Sequence, residues 1–328
     1  MTAQNKNITP LKILNAEPLG YSADANALLT EFGDVVSEEM SRSRLLKELD
    51  TFDVLIVRLA NQIDKAVIDA GRSLRAIVTA TTGLDHIDVD YARQRDIAVL
   101  SLQGETDFLR TIQATAEHTW ALLLGLLRKI VPASIAARQG SWDRDMFRGR
   151  ELNGKRLGIV GLGRLGKKVA RYGQVFGMDV GAFDPLIPDW IDGVRREPAL
   201  SNLLKNSDVL SLHAPLNSET QGMIGAPELA LLPPGAVLVN TSRGQLVDEL
   251  AMIDALTNRH LAGAALDVLA QERENAIRQN SPLLAYADNH DNLLITPHIG
   301  GATYESMAQT EIFMAHKLKK FILDTCKD

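Results

Sequence analysis

The sequence predicts an α/β protein with two parallel sheets, and three observations carry this. Short apolar runs alternate with helical patterns over residues 11–100. A glycine-rich turn between a strand and a helix lies in mid-chain, at Gly161-Leu162-Gly163-Arg164-Leu165-Gly166. A second strand–helix series then runs from Gly154 onward. Such alternation is the pattern of parallel strands covered by helices on both faces. The 328 residues suffice for two domains of ordinary size.

In the first series, Leu11–Leu14, Val54–Val57, Ala76–Thr79 and Ile97–Leu100 read as buried strands, being short and apolar without alternation. Ala23–Phe32, Ser41–Leu49, Asp64–Ala70 and Asp90–Arg95 read as the helices between them. Thr115–Ile130 is apolar on most faces, so it is expected to be buried between domains or against a second subunit. Gln139–Leu152 reads as a surface connector. In the second series, strands are expected at Leu157–Val160, Asp179–Phe183, Val209–Leu212, Ala236–Asn240, Gly263–Leu266 and Leu293–Ile295. Helices are expected at Lys167–Phe176, Ala199–Asn206 and Leu246–Asn258, with a last one at Tyr304–Leu323.

Composition excludes several classes. Apolar residues make up 45% and charged residues 23%, as in soluble globular enzymes. The net charge is −6 with no dense basic block, so nucleic acid is not an expected partner. The longest apolar run, Trp120–Leu127, is too short for a membrane span, and no membrane partner is expected. The N-terminus lacks a signal-peptide core. The single cysteine, Cys326, excludes a disulfide framework and a cysteine-built metal site within one chain. No metal is expected, and the cytoplasm is the expected compartment.

The glycine-rich turn fits G-x-G-x-x-G in the context that a dinucleotide fingerprint requires. It follows Arg156–Val160 and opens the helix, and Asp184 ends the next strand. Gly161, Gly163 and Gly166, with Arg164 and Leu165, would bring backbone and helix N-terminus against a pyrophosphate. Asp184 would accept from the adenosine ribose hydroxyls and repel a 2′-phosphate, favouring NAD over NADP.

Polar residues stand at the ends of the later strands, where ligands bind in open α/β sheets. Arg243 follows Val239-Asn240-Thr241-Ser242 and could grip a carboxylate with two hydrogen bonds, or lie on the surface. Asp267 could accept from a nicotinamide amide, and Glu272 lies in a charged run. His298, in Thr296-Pro297-His298-Ile299-Gly300-Gly301, is suited to proton transfer, and the two glycines allow close ligand approach. His213 ends a strand and could touch the cofactor. His86, His118, His260, His290 and His316 read as structural or surface groups.

These motifs, GLGRLG, LHAPLNSETQGMIG, LLPPGAVLVNTSRGQLVDE, AALDV and TPHIGGAT, resemble those of the D-isomer-specific 2-hydroxyacid dehydrogenases, above all the D-3-phosphoglycerate dehydrogenase branch. The resemblance implies a flavodoxin-like, discontinuous substrate-binding domain (1–108 and 302–328) and an inserted NAD-binding Rossmann domain (109–301). It implies a catalytic trio of Arg243, Glu272 and His298. Arg243 would hold the substrate carboxylate, His298 would move the proton, and Glu272 would orient the ring and favour its charged form. It adds Ala214, Pro215, Thr220, Thr241, Ser242, Gly300 and Gly301 to the cofactor contacts. It places the substrate carboxylate near the Thr82 and Gly83 amides and an anionic substrate tail at Arg58; as a strand-end arginine, Arg58 could instead form an interdomain ion pair. A homodimer through the Thr115–Ile130 helix is implied.

The chain departs from the pattern at three places. Arg273 stands where the family usually has proline, with Glu274 as the rival of Glu272. Leu59-Ala60 replaces small polar residues, and no C-terminal regulatory domain is expected after Asp328. The implied reaction is NAD-dependent hydride transfer at C2 of a small anionic acid, 3-phosphoglycerate foremost. The alternatives are hydroxypyruvate, glyoxylate or a phosphonylated 2-oxo acid, or a corepressor-like NAD-responsive binding protein.

Overall fold

The computed structural model describes residues 11–188, 190–272 and 278–325. Backbone packing divides the chain into two units, Met1–Ile112 with Thr303–Asp328, and Gln113–Ala302. The expected division fell at 108/109 and 301/302.

The first unit contains β1 (Leu11–Asn15), α1 (Ala23–Thr30), β2 (Gly33–Ser37), α2 (Arg42–Glu48) and β3 (Val54–Val57). It continues with α3 (Lys65–Ala70), β4 (Ala76–Thr79), α4 (Val89–Gln94), β5 (Ala98–Leu100) and α5 (Thr106–Arg110). The sheet is parallel in the order β2-β1-β3-β4-β5, the flavodoxin-like order. Its central strands bury both faces: Val54 and Ile56 enter one core cluster, Leu55 and Val57 the other. That is why their sequence is continuously apolar. The C-terminal helix, Tyr304–Thr325, returns to this unit, and its Met314, Ala315, Leu318 and Ile322 join the cluster of Ile13, Val54 and Ile56.

The second unit opens with α6 (Ala114–Leu127) and α7 (Ile130–Arg138). The expected single helix breaks after Leu127, and Lys129 adopts a left-handed conformation with φ 51°. Most of the apolar face of α6 is buried, whereas α7 buries none of its side chains. Among the described residues, no single helix is long and apolar enough to cross a membrane.

Then come β6 (Arg156–Val160), α8 (Arg164–Val175), β7 (Asp179–Phe183), β8 (Arg195–Arg196), α9 (Leu200–Lys205) and β9 (Val209–Leu212). They are followed by α10 (Ala226–Leu231), β10 (Ala236–Asn240), α11 (Glu249–Thr257), β11 (Leu261–Leu266), α12 (Pro282–Ala287) and β12 (Leu293–Ile295). The parallel sheet has the order β12-β11-β10-β9-β6-β7-β8. The chain reverses its winding between β6 and β9, the switch point outside which ligands bind in such sheets.

The structure adds β2, β8, α5, α7, α10 and α12 to the expected elements. The helix expected from Leu246 starts at Glu249, because Asp248 caps it through the Leu250 and Ala251 N–H groups.

Candidate active site

The glycine turn occupies the carboxyl end of β6, beside the switch point. Gly161 has φ +89°, and a Cβ there would stand 2.8 Å from the His213 backbone. A Cβ on Gly166 would lie 2.0 Å from the Gly161 carbonyl oxygen, so the helix can rest directly on the turn only at glycine. Gly163 is the N-cap of α8 and faces open space. It has no side chain to cap the helix, which suits the first turn to an anion. Burial holds Arg164 below its ordinary pKa. Burial, then the Arg164 charge, does the same to Lys168. Two partly desolvated cations at a helix N-terminus suit a pyrophosphate. Leu165 lies within that first turn.

Asp184 stands immediately after β7. Its carboxylate accepts from Leu162 N–H at 2.8 Å, and from Leu186 and Ile187 N–H at 2.9 and 3.2 Å. The strand-end acid is thus fastened to the glycine turn, where a ribose would meet it. These residues fit NAD: three glycines at a strand end, an uncapped helix and an acid for the ribose hydroxyls.

The other expected cofactor contacts are placed as follows. His213 directly follows β9, with Nε2 2.8 Å from Ser211 Oγ. Its Nδ1 is buried without a partner among the described residues, and burial pushes the ring pKa down to about 4. A ring so disposed stays neutral near pH 7. Ala214 is buried and Pro215 exposed; the Pro215 carbonyl accepts the Thr220 hydroxyl at 2.6 Å. Thr241 Oγ1 lies 2.8 Å from Thr119 Oγ1 of α6. Asn240 Oδ1 accepts Ser242 N–H at 3.0 Å, and Asn240 Nδ2 donates to the Arg243 carbonyl at 2.8 Å. Asn240 therefore braces the turn from both sides. Arg243 Nη1 donates to Ser242 O at 2.7 Å.

His298 and Glu272 meet. His298 Nδ1 is 2.5 Å from Glu272 Oε1, with both side chains partly accessible. A carboxylate on Nδ1 takes that N–H and leaves Nε2 to exchange a proton. Arg273 and Glu274 lie outside the described residues, as does Cys326.

His298 is a non-glycine residue in left-handed backbone, φ +54°. Such strain persists where neighbours over-determine it, and here Asp267 does so. The Asp267 carbonyl accepts His298 N–H at 2.8 Å. Its carboxylate accepts Ile299 N–H at 2.9 Å, Gly300 N–H at 2.7 Å and the Thr296 hydroxyl at 2.6 Å. His118 Nε2, on α6, lies 3.2 Å from the same carboxylate and 3.0 Å from Thr296 Oγ1. Burial by itself would raise the Asp267 pKa, but these hydrogen bonds hold it below the ordinary carboxylate range. The residue read as a nicotinamide acceptor thus has its contacts in the turn that carries His298. A Cβ on Gly300 would stand 2.9 Å from Asp267 Oδ2, while Gly301 faces open space.

In the first unit, the Thr81 hydroxyl donates to Gly83 O at 2.9 Å and shapes the turn that bears the Thr82 and Gly83 amides. Arg58 follows β3. Its Nη2 donates to the carbonyls of Glu17, at 2.7 Å, and Leu19, and its Nη1 is 3.8 Å from Glu311 Oε1. The Glu17 carboxylate accepts the N–H groups of Arg58, Leu59, Ala60 and Asn61. The acid paired with Arg58 belongs to the same unit, so the contact is not the expected interdomain ion pair.

Residues 120–300 match the model of the D-isomer specific 2-hydroxyacid dehydrogenase NAD binding domain. The chain belongs to the D-isomer-specific 2-hydroxyacid dehydrogenase family. Within it, the chain is similar to D-3-phosphoglycerate dehydrogenase of Methanocaldococcus jannaschii, 35% identical over 95% of this chain and 57% of that protein. It is similar to hydroxypyruvate reductase of Thermotoga maritima, 34% identical over 93% of this chain and 96% of that one. Among solved structures of the fold, D-lactate dehydrogenase from Aquifex aeolicus, complexed with NAD and lactic acid, superposes with a TM-score of 0.82. It is 27% identical and covers 96% of each chain. The chain spans about half the length of the phosphoglycerate dehydrogenases it matches. NAD is the cofactor of the matched domain.

Reading the sequence assigned His118 to structure or surface and gave no role to Asn240, Thr296 or Glu249. No linear signal marks them: His118 and Asp267 are 149 residues apart.

Proposed function

We propose that the protein is an NAD-dependent oxidoreductase acting on a small anionic D-2-hydroxy acid and its 2-oxo partner. The observation that carries this is the His298–Glu272 contact of 2.5 Å, in the family domain that holds the glycine turn. NAD bound there supplies the hydride donor or acceptor at nicotinamide C4. In the direction of reduction, His298 gives the Nε2 proton to the C2 carbonyl oxygen and becomes neutral. In oxidation it takes that proton back. Glu272 holds the ring by Nδ1 and offsets its positive charge. Arg243 grips the substrate carboxylate and polarises the carbonyl.

Two substrate readings have support. The 35% identity to D-3-phosphoglycerate dehydrogenase favours 3-phosphoglycerate. The hydroxypyruvate reductase match, which covers 96% of that relative, and the inward contacts of Arg58 favour an acid without a phosphate. The deciding experiment is NADH oxidation with a panel of 2-oxo acids, including phosphorylated and phosphonylated members. His298→Ala is expected to lower turnover by about 10²–10⁴ while NADH still binds. Turnover near that of wild type would remove His298 from its role. Tight NADH binding with no turnover of any acid would favour a corepressor-like binding protein.

The protein is further proposed to act as a homodimer. The exposed apolar side chains of α7 and the following connector support a second copy as the partner: Ile130, Val131, Ile135, Trp142 and Met146.

A further inference from the structure

The loop between β11 and Glu272 passes through the Leu269–Ala270 peptide. Two residues of the β10–α11 connection grip that peptide from different directions. A Cβ added to Gly244 would lie 2.1 Å from the Leu269 carbonyl carbon and 2.2 Å from Ala270 N, so only a hydrogen fits there. In the first turn of α11, Glu249 Oε1 accepts the Ala270 N–H at 2.7 Å. Glu249 is half-buried. Its desolvation raises its pKa, the Ala270 hydrogen bond opposes this, and the Asp248 charge adds to it. A solvated surface acid would not be held in this way.

The adjoining peptide, Val268–Leu269, reaches the dyad. Leu269 N–H donates to Glu272 Oε2 at 3.2 Å, and Glu272 Oε1 meets His298 Nδ1 at 2.5 Å. Gly244 directly follows Arg243.

We propose that Glu249 is a positioning residue: with Gly244 it clamps the Leu269–Ala270 peptide, and so sets where Glu272 meets His298 relative to Arg243. This rests on the dyad acting as described above. A charged acceptor makes the stronger bond to a backbone N–H. Reacting groups displaced by about 1 Å can cost about 10² in rate, so a contact remote from the substrate still governs turnover.

The test compares full-length wild type, Glu249→Ala and Glu249→Gln, with two readouts. One is hydrogen exchange of the Ala270 amide; the other is steady-state kinetics with NADH affinity. Glu249→Ala is expected to speed that exchange and lower kcat about tenfold or more, with KM and the NADH Kd within about twofold. Glutamine keeps an acceptor at the same reach and is expected to restore both. Should Glu249→Ala not fold, Glu249→Asp, whose carboxylate is one carbon short of Ala270, takes its place. Unchanged exchange in the truncated variant overturns the proposal. So does faster exchange with undiminished kcat, or a failure of glutamine to rescue. If wild type turns over none of the acids, the reading of the dyad fails instead, and the exchange arm alone decides whether Glu249 holds the loop.

Discussion

Single residues at this site differ in how far the fold has committed them. His213 and His298 both stand at the ends of strand segments, yet their surroundings set them apart. His298 has a carboxylate on Nδ1, whereas His213 has only a serine hydroxyl and a buried orphan nitrogen. Folded His213 therefore stays neutral down to about pH 4, while an unfolded chain's histidine takes up its proton near 6.5. Stability from this ring is full above pH 6.5 and drains away as pH falls from 6.5 toward 4. The loss amounts to at most about 3 kcal/mol, less where solvent reaches the ring. Denaturant titrations at several pH values are expected to show a shallower acid slope in His213→Gln than in wild type; equal slopes would contradict the burial. Asp184 carries a second prediction. Wild type should prefer NAD, and Asp184→Ala should narrow the gap in kcat/KM between NAD and NADP by about tenfold, since a like-charge repulsion is removed. Equal efficiency of wild type with both cofactors would remove that carboxylate from ribose recognition. The same substitution frees Leu162 N–H, so some loss of NAD affinity should accompany it.

At the scale of elements, the site is a set of strand ends joined by side chains that reach across turns. Asn240 braces the turn after β10, Asp267 the one that carries His298, and Glu249 the one leading to Glu272. Each accepts from or donates to the backbone of its turn, which favours one shape for that turn. The glycine turn works by contact distance instead. Gly166→Ala would drive a methyl group into the Gly161 carbonyl. The helix would have to lift from the strand, an overpacking cost of about 1–3 kcal/mol. A lower denaturation midpoint together with weaker NADH fluorescence enhancement is the expected result; unaltered NADH affinity would mean that the helix need not sit so close. The break between α6 and α7 also belongs to this scale. Gln139–Leu152 carries exposed Trp142 and Met146 next to a helix with no buried side chain, which is the basis of the proposed dimer.

At the scale of the whole chain, the first unit is closed by its last helix, whose apolar side chains share a cluster with β1, β3 and β4. The second unit is continuous, from α6 to the turn after His298. The proposed dimer makes a prediction for the molecule as a whole. Ile135→Glu places a charge on the apolar face, where burial without a partner is costly. Sedimentation equilibrium is expected to show dimeric wild type and a variant shifted to monomer. A monomeric wild type would leave that face without its proposed partner.

Much of this was legible in the sequence because the signals are local. Strands buried on both faces read as continuous apolar runs, and β3, β4, β7, β9, β10 and β12 fall where those runs fall. The glycine spacing and Asp184 lie within one strand–helix–strand unit. Two of the four edge strands gave no such signal: β2 is half polar (Gly33-Asp34-Val35-Val36-Ser37), and β8 is two arginines. The short helices α10 and α12, of six residues each, are too short to display a helical period. Sequence by itself determined the α/β class, the cofactor turn and the residues able to move a proton, since each depends on residue type and near spacing. Tertiary structure decided that Asp267 holds the strained turn at His298, that Arg58 faces Glu17 and Glu311, and that Glu249 reaches Ala270. Those contacts join distant positions, and hydrogen-bond distance is a property of the folded chain alone.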